Sequence, residues 1–462
     1  MRAIVIGGSM AGLLCARVLS DVFDEVVVID RDTPPDTAEP RKGVPQGRHV
    51  HALLSAGADA IGKLFPGLYD EMMEGGSNKA DIANDSAIFN NGSWRLQIPT
   101  GAFFYVQTRP FLEMHVRRRV AAIPNVQQRF ATSVTDLIFD DTRETVIGIR
   151  LSTPDGVEET LTADFVADCS GRGSKSSVWL EAAGYAGPPM DKIAADVGYA
   201  TRFFRAPPTL GRSWVVLGSQ GTPPEGLRHG IAFRIGKDQL QVTVAGHFHQ
   251  QPPGDPQGFL DYVGLLETRA IHDVIRDAEP LSEVMLHRFP VSIWRHYERL
   301  TRFPRAYIVF GDAVCSFNPV YGQGMSVAAL GALELQKTFA DLGTTAAKSP
   351  ALAQTFFRRA AHAIKIAWTV SAGADLIYAK TEGVRPPGLK LFFWYIGQIM
   401  DLASYDPTVV KAWADVHHLR RPVSHLLRPA ILARVIGRAL WGGAPLAVDH
   451  PLRVGVADAV AE

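Results

Sequence analysis

Residues 7–12 read Gly7-Gly8-Ser9-Met10-Ala11-Gly12 and follow the apolar run Ala3 to Ile6 directly. A glycine turn between a strand and a helix lets the backbone approach a pyrophosphate closely. It also aims unpaired helix N–H groups at negative charge. Ser9 stands where the usual GxGxxG pattern has its second glycine, and its hydroxyl is a candidate phosphate donor. Asp30 closes the next β-branched run, Glu25 to Asp30, and lies 18 residues past Gly12. A carboxylate there suits the ribose hydroxyls of an adenosine. Gly7, Gly8, Ser9, Ala11, Gly12, Asp30 and the adjacent Arg31 are therefore the expected dinucleotide set.

A second constellation begins at Val309-Phe-Gly311-Asp312-Ala313 and continues as Asn318-Pro319-Val320-Tyr321-Gly322-Gln323-Gly324-Met325. Again a strand ends in glycine and an acid, and a glycine-rich loop feeds an apolar helix, Ser326 to Leu335. Two such helix starts, far apart in sequence, fit one long ligand with anionic or electron-rich groups at both ends. FAD matches that description. Its pyrophosphate suits the first start and its flavin ring the second.

With a third segment, Asp168-Cys-Ser-Gly171-Arg172-Gly173-Ser174, the set resembles the flavin-dependent monooxygenase superfamily that includes aromatic hydroxylases and squalene epoxidase. Within it, Arg41-Lys-Gly-Val-Pro-Gln-Gly-Arg48-His-Val-His51 and Phe317-Asn-Pro-Val-Tyr-Gly resemble the bacterial polyether epoxidases. The middle segment departs from the hydroxylases, which usually have Asp-Gly where this chain has Asp-Cys-Ser-Gly. The resemblance implies that Asp312 holds the ribityl chain and that Pro319, Gly322, Gly324 and Met325 line the flavin. It implies that Arg109 reaches the ribityl or pyrophosphate, that Arg41 and Arg48 sit over the flavin edge, and that Asp168, Gly171 and Gly311 complete the cofactor site.

These residues need a frame. Strand, glycine turn, helix, strand over residues 3–30 is a βαβ unit, hence a parallel sheet. His49 to Phe65 has helical spacing, Asn90-Asn91-Gly92 signals a hairpin, and Leu112 to Ala122 reads as a helix with Pro110 in its first turn. Strands are expected at 132–139, 146–152, 159–166 and 306–310. Between 196 and 246 the apolar period becomes two, which predicts an inserted antiparallel sheet. The expected fold class is α/β: a Rossmann-type FAD-binding domain, an antiparallel substrate sheet and a helical carboxyl-terminal region. The expected boundaries are 1–185 and 286–345 for the FAD-binding parts, 186–285 for the sheet and 346–462 for the helices.

Composition narrows the classes. The 462 residues carry 47 Lys+Arg against 47 Asp+Glu, so no overall positive field favours nucleic acid. Three separated cysteines give neither a disulfide framework nor a metal site, and no run of 18 apolar residues occurs. A cytoplasmic enzyme is expected. His247 and His249 read as a polar rim on one side of a strand, His417-His418 as surface, and Arg117 to Arg119 as a solvated helix face. The substrate floor is expected on Tyr199 to Phe204 and Ile231 to Val244, with Phe233, Trp394 and Tyr395 in the wall. Phe392 to Tyr395 reads as helix core, or as a lipid-facing surface that touches a membrane. No acid–base pair stands out. That favours insertion of one oxygen atom from O₂ into an apolar alkene, an epoxidation, over an NAD(P)H-dependent aromatic hydroxylation. An FAD-dependent dehydrogenase without oxygen insertion is the third reading. Electrons come from NAD(P)H or from a separate flavin reductase.

Overall fold

The computed structural model describes residues 1–442 except Thr209 and Arg212, and leaves the side chains of Thr344 and Thr345 undescribed. Residues 443–462 of the expected helical region lie outside the described residues. A parallel five-stranded sheet runs in the order Tyr307–Val309, Phe165–Asp168, Arg2–Ile6, Glu25–Ile29, Val126–Arg129. Its three central strands are apolar and almost wholly buried, because both sheet faces are covered. Helices Met10–Leu19 and Gly324–Leu342 pack against each other on this sheet.

The inserted sheet has seven strands: Met285–Phe289, Val197–Arg205, Gln239–His247, Arg228–Ile235, Val216–Gln220, Ser86–Asn90, Ser93–Trp94. All neighbours are antiparallel except Val216–Gln220 with Ser86–Asn90. The hairpin around Asn91-Gly92 thus extends this sheet. Side chains alternate between faces. Phe204, Leu240, Val242 and Val244 point to the back and pack under helices Pro256–Gly264 and Ala270–Ile275. Val216, Ile231 and Phe233 point to the front, where helices Leu389–Leu402, Pro407–His417 and Pro429–Trp441 cover them.

Two elements differ from expectation. The strand expected at 159–166 is two strands, Glu158–Thr162 in a separate three-stranded sheet and Phe165–Asp168 in the parallel sheet. The exposed first half and buried second half belong to different environments, which one apolar run could not reveal. The helix expected from His49 starts at Ser55. Before it, Val50 N–H donates to Thr243 Oγ1 at 3.1 Å and Leu54 N–H to Ser326 Oγ at 2.9 Å. Side chains from distant elements satisfy this backbone, so it stays extended. Among the described residues no helix is long and apolar enough to cross a membrane.

Glycine is obligatory where the first turn closes. A Cβ on Gly12 would lie 1.7 Å from the Gly7 carbonyl oxygen, whereas one on Gly173 would meet nothing within 4 Å. Gly12→Ala is therefore expected to lose about 3 kcal/mol or more of stability, and Gly173→Ala to lose little. Urea unfolding of both variants checks this; equal midpoints would refute the close approach.

Candidate functional site

The first strand ends at Ile6, and Gly7 turns the chain with φ at +99°, a region open to glycine. A Cβ there would lie 2.6 Å from the Cys169 carbonyl oxygen. A Cβ on Gly311, whose φ is +65°, would lie 2.7 Å from the Ala11 Cβ. Three strand ends therefore meet at one point. Ser9 precedes helix Met10–Leu19 without a side-chain cap, and no acid lies in the helix's first turn. Its leading N–H groups and partial positive charge face outward.

Asp30 is buried. Its carboxylate accepts from Gly8 N–H at 2.7 Å, from Asp32 N–H at 2.9 Å and from Arg41 at 3.0 Å. Arg41 also reaches Glu113 at 2.8 Å and Asp32 at 3.2 Å. Glu113, a residue the sequence did not single out, holds Arg109 at 2.9 Å and Arg117 at 2.6 Å as well. Arg109 donates to Ser9 Oγ at 2.8 Å. Three arginines and three acids thus form one buried network behind the glycine turn. Arg117 belongs to it rather than to a solvated helix face, because Glu113 sits one helical turn before it.

The cradle retains unmatched polar groups. Arg109 Nε is buried without a partner. Among the described residues nothing donates to the Asp312 carboxylate, although burial raises its pKa against the pull of Arg109 and Arg172. A Cβ on Gly324 would lie 3.6 Å from Asp312 Oδ1, so this acid borders the second helix start. An acid and a guanidinium nitrogen, both awaiting partners between two helix N-termini, fit the polyol and pyrophosphate of FAD. Gly322 turns the chain at φ +66°, and helix Gly324–Leu342 also has no acid in its first turn. Met325 is buried beside it.

Other expected residues fall elsewhere. The Asp168 carboxylate is fully buried and taken by Ser170 N–H at 2.8 Å and by the hydroxyls of Ser174 and Ser176. It fixes the turn at Gly171, whose φ is +80°. Arg31 and Arg48 are exposed, and the Arg48 carbonyl accepts from Gln241 at 3.1 Å.

In front of Pro319 to Gly322 lies a cavity of about 380 Å³, between the front of the seven-stranded sheet and the carboxyl-terminal helices. Tyr199, Ile231 and Phe233 form its floor, and Phe392, Phe393, Ile396 and Met400 its far wall. Phe204, Val242 and Val244 belong to the back of the sheet, and Phe203 is absent from the wall. Trp394 is 47% exposed, and Tyr395 is held by the Leu426 carbonyl.

Of the histidines expected at the rim or surface, His247, His417 and His418 sit inside, while His249 is exposed. His417 and His418 line the cavity. His247 is fully buried at a strand end and lies 3.4 Å from Asp375; His249 is in the following turn. Asp375, itself fully buried, accepts from Tyr321 at 2.8 Å and Asn318 at 3.0 Å. The Tyr199 hydroxyl donates to Asn318 Oδ1 and accepts from Val320 N–H at 3.1 Å. Tyr321 lines the cavity with its hydroxyl on the buried Asp375 behind it, a positioned phenol and carboxylate where no acid–base pair stood out in the sequence. Asp375 ends a four-residue helix, Ala372–Asp375, with no recognisable motif, which left it invisible in sequence.

Burial holds the cavity histidines neutral: His49 is lowered to about 3, His51 to about 4, His229 to about 3 and His417 to about 4. Unfolded, each takes a proton near pH 6.5. The unfolded state thus binds more protons below that pH, and stability is full above it and falls as pH drops toward 4. His49 alone accounts for about 2 kcal/mol at pH 5. Unfolding midpoints between pH 7 and 5 should fall, and His229→Asn with His417→Asn should flatten the slope. A midpoint independent of pH would refute neutral burial.

A family model described as an FAD binding domain matches residues 1–202. Protein Rv3254 of Mycobacterium tuberculosis (strain ATCC 25618 / H37Rv) is 34% identical over 429 residues, which cover 89% of this chain and 88% of that protein. The structure of flavin-dependent brominase Bmp2 superposes with a TM-score of 0.68 at 15% identity, covering 95% of this chain and 99% of the other. That of p-nitrophenol 4-monooxygenase PnpA from Pseudomonas putida DLL-E4 gives 0.61 at 18% identity, covering 91% and 98%. At these identities the structures share the fold. The chain belongs to one family with Protein Rv3254, and its residues 1–202 match an FAD binding domain.

Proposed function

We propose that this chain inserts one atom of O₂ into a lipophilic, unsaturated small molecule, with epoxidation of an alkene as the leading reaction. One observation carries the reading: the largely apolar cavity ends on the Pro319–Gly322 turn, at a helix start free of acids. Gly7, Gly8, Ser9 and the helix start at Met10 would hold the FAD pyrophosphate, with Asp30, Arg41 and Arg109 around the adenosine half. Asp312 and Gly311 would hold the ribityl chain, and Pro319, Gly322, Gly324 and Met325 the ring. When bound, FAD supplies the redox chemistry that activates O₂, with electrons from NAD(P)H or a partner reductase.

The chain's own residues orient and exclude. Phe233, Ile231 and Phe393 take the substrate's carbon skeleton and keep water out. Tyr321, whose pKa burial and Asp375 raise well above the usual, stays a neutral phenol with its proton toward Asp375. Its oxygen can accept a proton-bearing group of the substrate. That arrangement favours a second reading, hydroxylation of a phenol-like substrate, in which Asp375 and Tyr321 draw off the substrate's hydroxyl proton.

Asp312→Ala is expected to weaken FAD retention by about 1.5–3 kcal/mol, measured by fluorescence titration of the apoprotein. Unchanged affinity removes Asp312 from the site. Turnover under ¹⁸O₂ is expected to place one labelled atom in the product, as an epoxide for the leading reading or a new hydroxyl for the second. An oxidised product without label would reject oxygen insertion and leave a dehydrogenase.

A further inference from the structure

The cavity wall contains one group its own chemistry does not explain. Arg95 follows strand Ser93–Trp94, and its backbone is fixed, with its N–H on the Ile88 carbonyl at 2.8 Å and the next residue's N–H on Ala403 at 2.9 Å. Its side chain is half-buried and lines the cavity. Among the described residues the guanidinium makes no hydrogen bond and no ion pair, and Nε is buried without a partner. Burial lowers its pKa to about 10, with no acid opposing the shift. Among the described residues no aspartate, glutamate or lysine lines the cavity. Its neighbours His417 and His418 are held neutral by burial and by Arg95 itself. At neutral pH Arg95 is the single charge on the described wall.

A cation kept unpaired in an apolar cavity costs stability unless something compensates it. The arginines behind the glycine turn do have an acid: Arg41, Arg109 and Arg117 share Glu113. A guanidinium presents a planar fork that a carboxylate matches with two parallel bonds. One uncompensated positive charge, flanked by neutral imidazoles, balances one negative charge; a phosphate dianion would exceed it. His417 also links this wall to the flavin side, since its carbonyl lies 3.4 Å from Gln323 Nε2, beside Gly322.

We propose that Arg95 is the anchor for a carboxylate, so that the natural substrate is a lipophilic unsaturated acid held by its head group. This deepens the monooxygenase reading and rests on it for the reaction, though not for the binding.

The test uses oxidised holoprotein and measures binding without turnover. Terminal alkenoic acids of eight to fourteen carbons, their methyl esters and the matching alkenyl phosphates are titrated by calorimetry. At least one acid should bind ten-fold or more tighter than its ester. Arg95→Gln should abolish that preference while leaving ester affinity within two-fold, and Arg95→Lys should keep part of it. FAD content and melting temperature certify each variant; if Arg95→Gln does not fold, Arg95→Lys and the wild-type ratio decide. No acid exceeding its ester, or a preference that survives Arg95→Gln, overturns the proposal. Phosphates binding more tightly than acids through Arg95 overturns the assignment to a carboxylate. A turnover product free of ¹⁸O alongside Arg95-dependent acid binding would strike the monooxygenase reading and leave the anchor standing.

Discussion

Chain segments must approach one another at Gly7, Gly12 and Gly311 more closely than a side chain at those positions permits. These contacts bring the ends of three parallel strands to one point, and most of the site follows from them. The strand ending at Ile6 delivers the first helix start, and the strand Phe165–Asp168 delivers the serine-bound turn that Gly7 touches. The strand Tyr307–Val309 delivers Gly311 and Asp312. From there the chain runs through Asn318 and Gly322 into helix Gly324–Leu342, which packs on the first helix. A shift at Gly12 would therefore propagate to both helix N-termini.

Polar side chains then tie segments remote in sequence. Glu113 collects Arg41, Arg109 and Arg117 behind the first turn, and Asp375 collects His247, Asn318 and Tyr321 behind the second. Each carboxylate is almost wholly buried and satisfied several times, the condition under which a buried charge is tolerated. The second network crosses from the inserted sheet to the carboxyl-terminal helices. It couples the shape of the cavity to the turn at Pro319 without a covalent link.

The glycine turns, Asp30 and Asp312 were legible because each is a local pattern with a local physical reason. The period-two strands were legible on the same ground. What escaped was decided by tertiary partners. His49 to Leu54 has helical spacing but is held extended by Thr243 and Ser326. His417 and His418 look like a polar helix end, yet the hairpin and the helix turn them inward. Phe203 and Phe204 read alike, and only sheet register places Phe204 at the back. Glu113, Asp375 and Arg95 carry no motif at all. Their roles arise from which distant groups do, or do not, face them.

The central claim is that both helix starts serve one FAD whose ring borders the cavity. A crystal structure of the reconstituted holoprotein tests it most directly. The account predicts continuous density from Asp30, past Ser9, Arg109 and Asp312, to a ring against Pro319, Gly322 and Met325 with one face open to the cavity. A ring lying away from the Pro319–Met325 segment, or a cofactor that engages only one of the two helix starts, would contradict it.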